Sequence, residues 1–550
     1  MTQTEARTTT EAPAEPVGGE TAAQKRRLPG LRLALLAGVL LWLACPPVTA
    51  WPLAWVAVAP LIVSVTTARH LRQALWRGYL FGWAFLGPVW YWVGLTIVGW
   101  TGSAIGWVAW FGLTLILAGF YAAWAGIAWW LARRAQGGGL IVGLAAAWVV
   151  MEWARTLGAL SMPWAQLSYT QSHFLPILQI ADITGAYGVS FLMMLVNGAF
   201  ALWWLNRKHP NRTRWVWASL TLTIFCCFYG VARLHEPEEG PTVTVAAMQA
   251  NFPMRSQADS LTRGLRTFAD LTRQAYAAAP EPPALYVWSE TASPGDAVND
   301  PEVREALLTL AHTYQAPALV GSRVFDPQSR MESSASVLFP SEGETPTRYN
   351  KQQLVPFGEY IPFRQSLPAF LDDTFHFFTY DVTPGAGPTV LRFTDRRAGT
   401  VALGPFICYE AMYPAYPRAM TRAGANLLVT QSNDGWFRSK AAMEQHLAGV
   451  VLRAIENRRE VVRSTMTGIT CFLDAKGRVL ARAPLDTPTF LIRPARLLRG
   501  QTLYTRLGDW FVGLCGLLVA AALWPRKARN HRGTETRRSH GEKQEETGAA

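Results

Sequence analysis

Apolar positions along this chain follow two different patterns. In the N-terminal part, and again near the C-terminus, they form long runs at about 31–48, 51–68, 75–98, 104–131, 140–157, 186–206, 214–233 and 506–525. Each run is close to the ~20 residues an α-helix needs to cross the hydrocarbon core of a bilayer. Between residues 241 and 495 the runs are short and rich in β-branched and aromatic residues: TVTVAAMQA, ALYVWSE, APALVGS, SASVLFP, TVALGPFICYE, ANLLVTQSND, EVVRSTMTGIT and TCFLDAKGRVL. Helical periodicity separates several of them, at 256–279, 301–315 and 439–458. Strands alternating with helices predict an α/β sandwich, set between membrane spans.

Charge then assigns sides to the spans. Lys25, Arg26 and Arg27; Arg69, Arg72 and Arg77; Arg133 and Arg134; Arg207, Lys208, Arg212 and Arg214; and Arg526, Lys527 and Arg529 occupy every second connection, whereas the connections at 47–52 and 99–103 carry no charge. By the positive-inside rule this pattern predicts eight spans and two cytoplasmic termini. Residues 1–24 and 526–550 read as disordered cytoplasmic tails, 25–235 as spans one to seven, 241–495 as an extracytoplasmic unit and 504–525 as span eight. Trp51, Trp55, Trp90, Tyr91, Trp92, Trp100 and Trp107 fall at the expected outer boundary. The stretch 158–185, with Pro163, His173, Pro176 and Asp182, is too irregular for a span and predicts a re-entrant or surface-lying segment. Glu152 and Arg155, three apart at the outer end of the fifth span, predict a local ion pair or a part in a lipid site.

Composition supports a membrane protein: 50% of residues are hydrophobic, only 16% are charged, and there are 24 Trp. The net charge of +13 lies mainly in the clusters between apolar runs, so it reports membrane topology and gives no reason to expect nucleic acid. Six cysteines, of which Cys226 and Cys227 are adjacent in an apolar run, do not form a disulfide framework. Neither GxGxxG after a strand nor a His/Cys ligand cluster is present, so no cofactor or metal is expected.

Three residues at or near strand ends carry the candidate chemistry. Glu290 closes ALYVWSE, Lys351 lies in the Gly/Pro-punctuated RYNKQQLVPFGEYIPF, and Cys408 ends the run TVALGPFIC. Taken singly, these are a solvated Glu, a solvated Lys and a buried structural Cys. Together they suit acyl transfer: the carboxylate takes the thiol proton, while the ammonium lowers the thiol pKa and holds an oxyanion. Spacing alone does not show that they meet.

VWSET, YNKQQLVPFGEYIP and ICYE resemble the Glu-Lys-Cys triad of the nitrilase (carbon–nitrogen hydrolase) superfamily. The span layout, MPWAQLSYTQ, PFGEYIPF, ICYEAMYP, SNDGWF and EVVRSTMTGIT further resemble the apolipoprotein N-acyltransferase family, over roughly residues 30–525. This resemblance implies an αββα sandwich with Cys408 as nucleophile, Glu290 as general base and Lys351 as oxyanion stabiliser. It implies supporting roles for Glu359, Tyr409 and Glu410. The acyl donor would be a membrane phospholipid, phosphatidylethanolamine in the first instance, and the acceptor a diacylglyceryl-apolipoprotein at the inner membrane. The arms 354–371 and 437–443 would cover the opening, with Trp436 and Phe437 as lipid contacts. A membrane-anchored amidase using water, and a non-enzymatic receptor or transporter, are the competing readings.

Overall fold

The computed structural model describes residues 30–252, 257–327, 330–343, 345–366 and 382–524. Both expected tails, and the outer end of the first arm at 367–371, fall outside these residues.

The central region forms two six-stranded sheets. The first consists of β1 (Thr242–Gln249), β2 (Leu285–Val287), β3 (Ala318–Asp326), β4 (Met331–Phe339), β5 (Thr347–Asn350) and β12 (Thr489–Arg496), in the order β12-β1-β2-β3-β4-β5. The second consists of β6 (Leu391–Asp395), β7 (Gly399–Ile407), β8 (Leu427–Ser432), β9 (Val461–Thr465), β10 (Cys471–Leu473) and β11 (Val479–Arg482), in the order β11-β10-β9-β8-β7-β6. The central strands are parallel in both sheets, β1-β2-β3 in one and β7-β8-β9 in the other. Their C-terminal ends therefore lie on one side of each sheet, where crossover connections leave space for a site.

Strand periodicity explains the layering. Val243, Val245 and Ala247 of β1, Leu319 of β3, Val401 and Leu403 of β7, and Leu427 and Val429 of β8 share one core between the sheets. Their neighbours Ala246 and Met248 turn outward to Phe268 of α9 (Gln257–Ala278) and Leu307 of α10 (Pro301–Thr313). Leu428 turns the other way, into a core with Met420 of α11 (Ala415–Arg422) and Leu447 and Ile455 of α12 (Lys440–Asn457). Alternation of period two thus gives the αββα sandwich directly.

The N-terminal part is helical: α1 (Gly30–Leu43), α2 (Ala59–Thr66), α3 (Leu71–Val89), α4 (Tyr91–Thr101), α5 (Ile105–Leu131), α6 (Gly137–Ala154), α7 (Ala186–Leu205) and α8 (Arg214–His235); α13 (Trp510–Leu523) joins from the far end of the chain. Among the described residues four helices, α5 to α8, are long and apolar enough to cross a membrane, and α3 with α4 makes a fifth if the pair is one span. The run 75–98, expected as one straight span, is instead two helices bent by 51°. Pro88, two residues before the break at Trp90, removes a backbone donor from the ladder. The run 51–68 opens with a 3₁₀ segment, Trp51–Trp55, before α2, while α1 and α13 have 14 residues each.

The stretch 158–185 contains a 3₁₀ turn, Leu167–Gln171, and two single-turn helices. Much of it is buried between the helical part and the sandwich. Here Glu152 and Arg155 depart from the expected ion pair. Arg155 Nη2 donates to the carbonyls of Met162, at 3.1 Å, and Trp164, whereas Glu152 Oε1 accepts from Leu167 N at 2.7 Å. Irregular buried backbone must find polar partners, and this demand on both side chains outweighs their mutual attraction.

The helical part and the sandwich share one continuous core, and α12 lies within it, buried on nearly every side. Asn197 is a comparable knot inside the helical part. Its Oδ1 accepts from Val58 N and Ala59 N at 2.8 and 3.0 Å, and its Nδ2 donates to Ala54 O and Met193 O at 3.0 and 2.9 Å. Asn197→Leu should destabilise the detergent-solubilised protein by about 1–3 kcal/mol, because buried backbone groups lose their partners. Thermal unfolding checks this, and an unchanged midpoint would contradict it.

Candidate active site

Each of the three chemical residues leaves a different strand. Glu290 follows β2 and is supported from β3 by Gly321, where a Cβ would sit 2.6 Å from Glu290 Cα. Only a residue without a side chain lets the Glu290 turn settle against that strand. Lys351 follows β5, and its backbone N–H donates to Ser334 O at 2.8 Å. Cys408 follows β7 at a φ of +49°, the left-handed region that costs a non-glycine residue roughly 1 kcal/mol or more. The chain then enters a 3₁₀ turn, Cys408–Met412. This reversal turns the thiol out of the strand direction at the sheet edge.

The three residues converge. Lys351, 1% exposed, places its Nζ 3.1 Å from Glu290 Oε1 and 2.8 Å from Glu359 Oε1. The second oxygen of Glu290 accepts from Asn433 N at 3.0 Å, and that of Glu359 from Val355 N at 2.8 Å. Both carboxylates are thus held in fixed orientations around one ammonium. Burial pulls the Lys351 pKa down, but the two carboxylates outweigh it and hold the ammonium well above its usual range. Cys408 lies close enough for Glu290 and Lys351 to act on its thiol. The expected lowering of the thiol pKa does not result. Burial pushes it up, Glu290 adds to this, and the opposing effect of Lys351 is smaller. Both burial and Glu290 favour the neutral thiol over the thiolate.

Glu410 organises the turn. It is fully buried; Oε1 accepts from Tyr349 Oη (2.7 Å), Gln352 N (2.7 Å) and Gln353 N (3.2 Å), and Oε2 from Ile407 N (2.6 Å). One carboxylate therefore ties the segment after Lys351 to the residue before Cys408. Tyr409 faces the helical part, donating its hydroxyl to Ser161 O and meeting Met162 Sδ, each at 2.9 Å. Tyr413 adds a 2.7 Å contact with Ser161 Oγ, and Tyr169 Oη donates to Met412 O at 3.1 Å.

Trp436 and Phe437 lie at the edge of this region. Phe437 packs edge-on against Trp92, Trp164 and His446, and Trp436 against Trp100. His446, on α12, was not among the expected site residues. Its Nε2 is 3.0 Å from the Cys408 carbonyl, and its Nδ1 is 3.0 Å from Asp434 Oδ1. Arg463 Nη2 pairs with Asp434 Oδ2 at 2.6 Å. Burial pushes the Asp434 carboxyl up, yet Arg463 and His446 hold it far below the usual carboxylate range. These residues come from separate elements, so no local spacing reveals them. Among the described residues, no group of three His, Cys, Asp or Glu could hold a metal.

An αββα sandwich with a Glu, a Lys and a Cys meeting at its strand ends defines a protein of the carbon–nitrogen hydrolase class. Residues 244–498 match the carbon–nitrogen hydrolase family, and residues 37–199 match the apolipoprotein N-acyltransferase N-terminal domain. The apolipoprotein N-acyltransferase of Geobacter metallireducens is 34% identical over 516 residues, covering 91% of this chain and 96% of that protein. Those of Methylococcus capsulatus and Azotobacter vinelandii are each 31% identical over 518 residues, covering 92% and 91% of this chain and 98% and 96% of those proteins. This chain belongs to the apolipoprotein N-acyltransferase family.

The geometry yields two expected outcomes. The ultraviolet absorbance of a thiolate, taken as wild type minus Cys408→Ser, should show no step between about pH 5 and 8. A step in that window would mean the thiol is ionised at rest. Glu410→Ala should cost about 3 kcal/mol or more by stranding buried donors, and Glu410→Gln less, as read by thermal unfolding. Equal effects of the two variants would contradict the clamp.

Proposed function

We propose that this protein transfers a fatty acyl chain from a membrane phospholipid, phosphatidylethanolamine first among them, to the α-amino group of a lipoprotein's N-terminal S-diacylglyceryl-cysteine. The observation that carries the mechanism is the buried ammonium of Lys351 between Glu290 and Glu359, beside the Cys408 thiol. Glu290 takes the thiol proton as Sγ attacks the ester carbonyl. Lys351 receives the charge that develops on the carbonyl oxygen. The tetrahedral adduct collapses, the C–O bond breaks, and the lysophospholipid oxygen leaves with the proton that Glu290 held. A thioester on Cys408 remains.

In the second half, the acceptor amine attacks the thioester carbonyl and Glu290 takes the ammonium proton. The C–S bond breaks, and the thiolate regains a proton as the amide forms. Glu359 holds Lys351 in place through both halves, while Glu410 and Tyr409 fix the turn that carries the nucleophile. Trp436 and Phe437 border the route of the acyl chain.

The same reading has eight spans, both termini in the cytoplasm and the sandwich on the extracytoplasmic face of the inner membrane. The alternation of basic and uncharged connections supports it. The bent pair α3–α4, α2 with the 3₁₀ segment before it, and the two terminal helices α1 and α13 then count as spans beside α5 to α8. On that face the thiol meets substrates that are both anchored in the outer leaflet.

Purified protein in mixed micelles, given labelled phospholipid and a synthetic diacylglyceryl-cysteinyl peptide, should release lysophospholipid and N-acylate the peptide. Release of free fatty acid without acylated peptide would instead favour the water-using amidase. Glu290→Gln should slow the first burst of lysophospholipid at least ~10²-fold, the scale of general base catalysis. An unchanged burst would remove Glu290 from that role.

A further inference from the structure

Arg438 has no part in the mechanism above, yet its surroundings are closely built. The residues on either side of it are latched to α4: Thr96 Oγ1 donates to Phe437 O at 3.1 Å, and Tyr91 Oη meets Ser439 Oγ at 3.1 Å. Between these latches Arg438 adopts a left-handed φ of +49°. A β-carbon-bearing residue pays for that conformation, so the two latches must over-determine it. The conformation lays the guanidinium across Gly99, where any Cβ would collide with it. Beside it Trp100, 42% exposed, meets Trp436 edge-on with ring centroids 4.6 Å apart.

Arg438 is exposed, and no hydrogen bond or ion pair engages its guanidinium among the described residues. Its position also leads back to the nucleophile. The preceding residue, Phe437, packs edge-on against His446, whose Nε2 lies 3.0 Å from the Cys408 carbonyl. An exposed cation on a latched backbone, next to an aromatic pair and at the helix end where α4 stops at Gly102, suits the headgroup level of a bilayer.

We propose that Arg438 binds the phosphodiester of the donor phospholipid and so sets the depth at which its ester reaches Cys408. A guanidinium forks onto two phosphate oxygens at once, which fixes orientation as well as position. The glycerol ester lies only a few bonds from that phosphate. The cation is therefore a specificity residue for phosphate-bearing donors, whatever their headgroup. This inference rests on the phospholipid-donor reading above.

The test measures thioester formation by full-length protein in mixed micelles, with wild type, Arg438→Gln, Arg438→Lys and the neighbouring Lys440→Gln. Arg438→Gln should raise KM for the phospholipid about 10-fold or more while leaving kcat nearly unchanged. It should not change acylation by a neutral p-nitrophenyl ester of the same chain. Arg438→Lys should recover part of the loss, and Lys440→Gln should match wild type. Equal KM values for wild type and Arg438→Gln, or equal losses in Arg438→Gln and Lys440→Gln, would overturn the proposal. So would loss of inorganic-phosphate binding in Arg438→Gln with no change in phospholipid KM, since that would mark a free-anion site. Failure of the donor reading looks different: wild type itself would form no thioester from phospholipid.

Discussion

A lysine ammonium that is almost wholly removed from water needs compensating charge, and that requirement shapes the centre of this molecule. Lys351 is enclosed by Glu290 at 3.1 Å and Glu359 at 2.8 Å. Removing either carboxylate would leave a buried cation under-compensated, a defect that costs several kcal/mol in proteins generally. The two carboxylates arrive from different places: one from the end of β2, the other from the loop that follows Lys351. The thiol comes from β7, in the opposite sheet. The site therefore exists only when both sheets are packed face to face, and the inter-sheet core of alternating Val and Leu is a precondition for the chemistry.

The same dependence continues outward from Cys408. The Cys408–Met412 turn rests on the irregular segment 158–171 through Tyr409, Tyr413 and Tyr169. That segment is held in turn by Glu152 of α6 and by Arg155, the residue that follows that helix. On the other side, α12 supplies His446 to the Cys408 carbonyl and Gln445 to Trp164, at 3.0 and 2.7 Å. The helical part is thus more than an anchor. It forms one wall of the seat on which the turn carrying Cys408 sits.

Much of this was legible in the chain. The strands and helices of the sandwich follow from alternation and helical period; the helix expected at 439–458 runs Lys440–Asn457. Glu290, Lys351 and Cys408 stood out as chemically apt residues at or near strand ends, although their meeting followed from a family resemblance and not from spacing. Long-range features were not legible. Hydropathy registers length and apolarity, so it missed the bend at Pro88; the spacing of Glu152 and Arg155 suggested an ion pair or a part in a lipid site, whereas each serves the backbone of 162–167. Glu410 was marked only by resemblance; its four contacts join residues some 60 positions apart, which no window on the sequence sees. The thiol pKa was misjudged for a related reason: burial outweighs one neighbouring cation, and burial is a property of the assembled fold.

The central claim is that the thiol of Cys408, activated between Glu290 and Lys351, carries the acyl chain. The direct measurement is to incubate the protein with labelled phospholipid in the absence of acceptor, digest it, and locate the acyl group by mass spectrometry. A hydroxylamine-labile acyl group is expected on the peptide containing Cys408, and none in Cys408→Ala. A stable acyl adduct on any other residue, or undiminished labelling of Cys408→Ala, would contradict it.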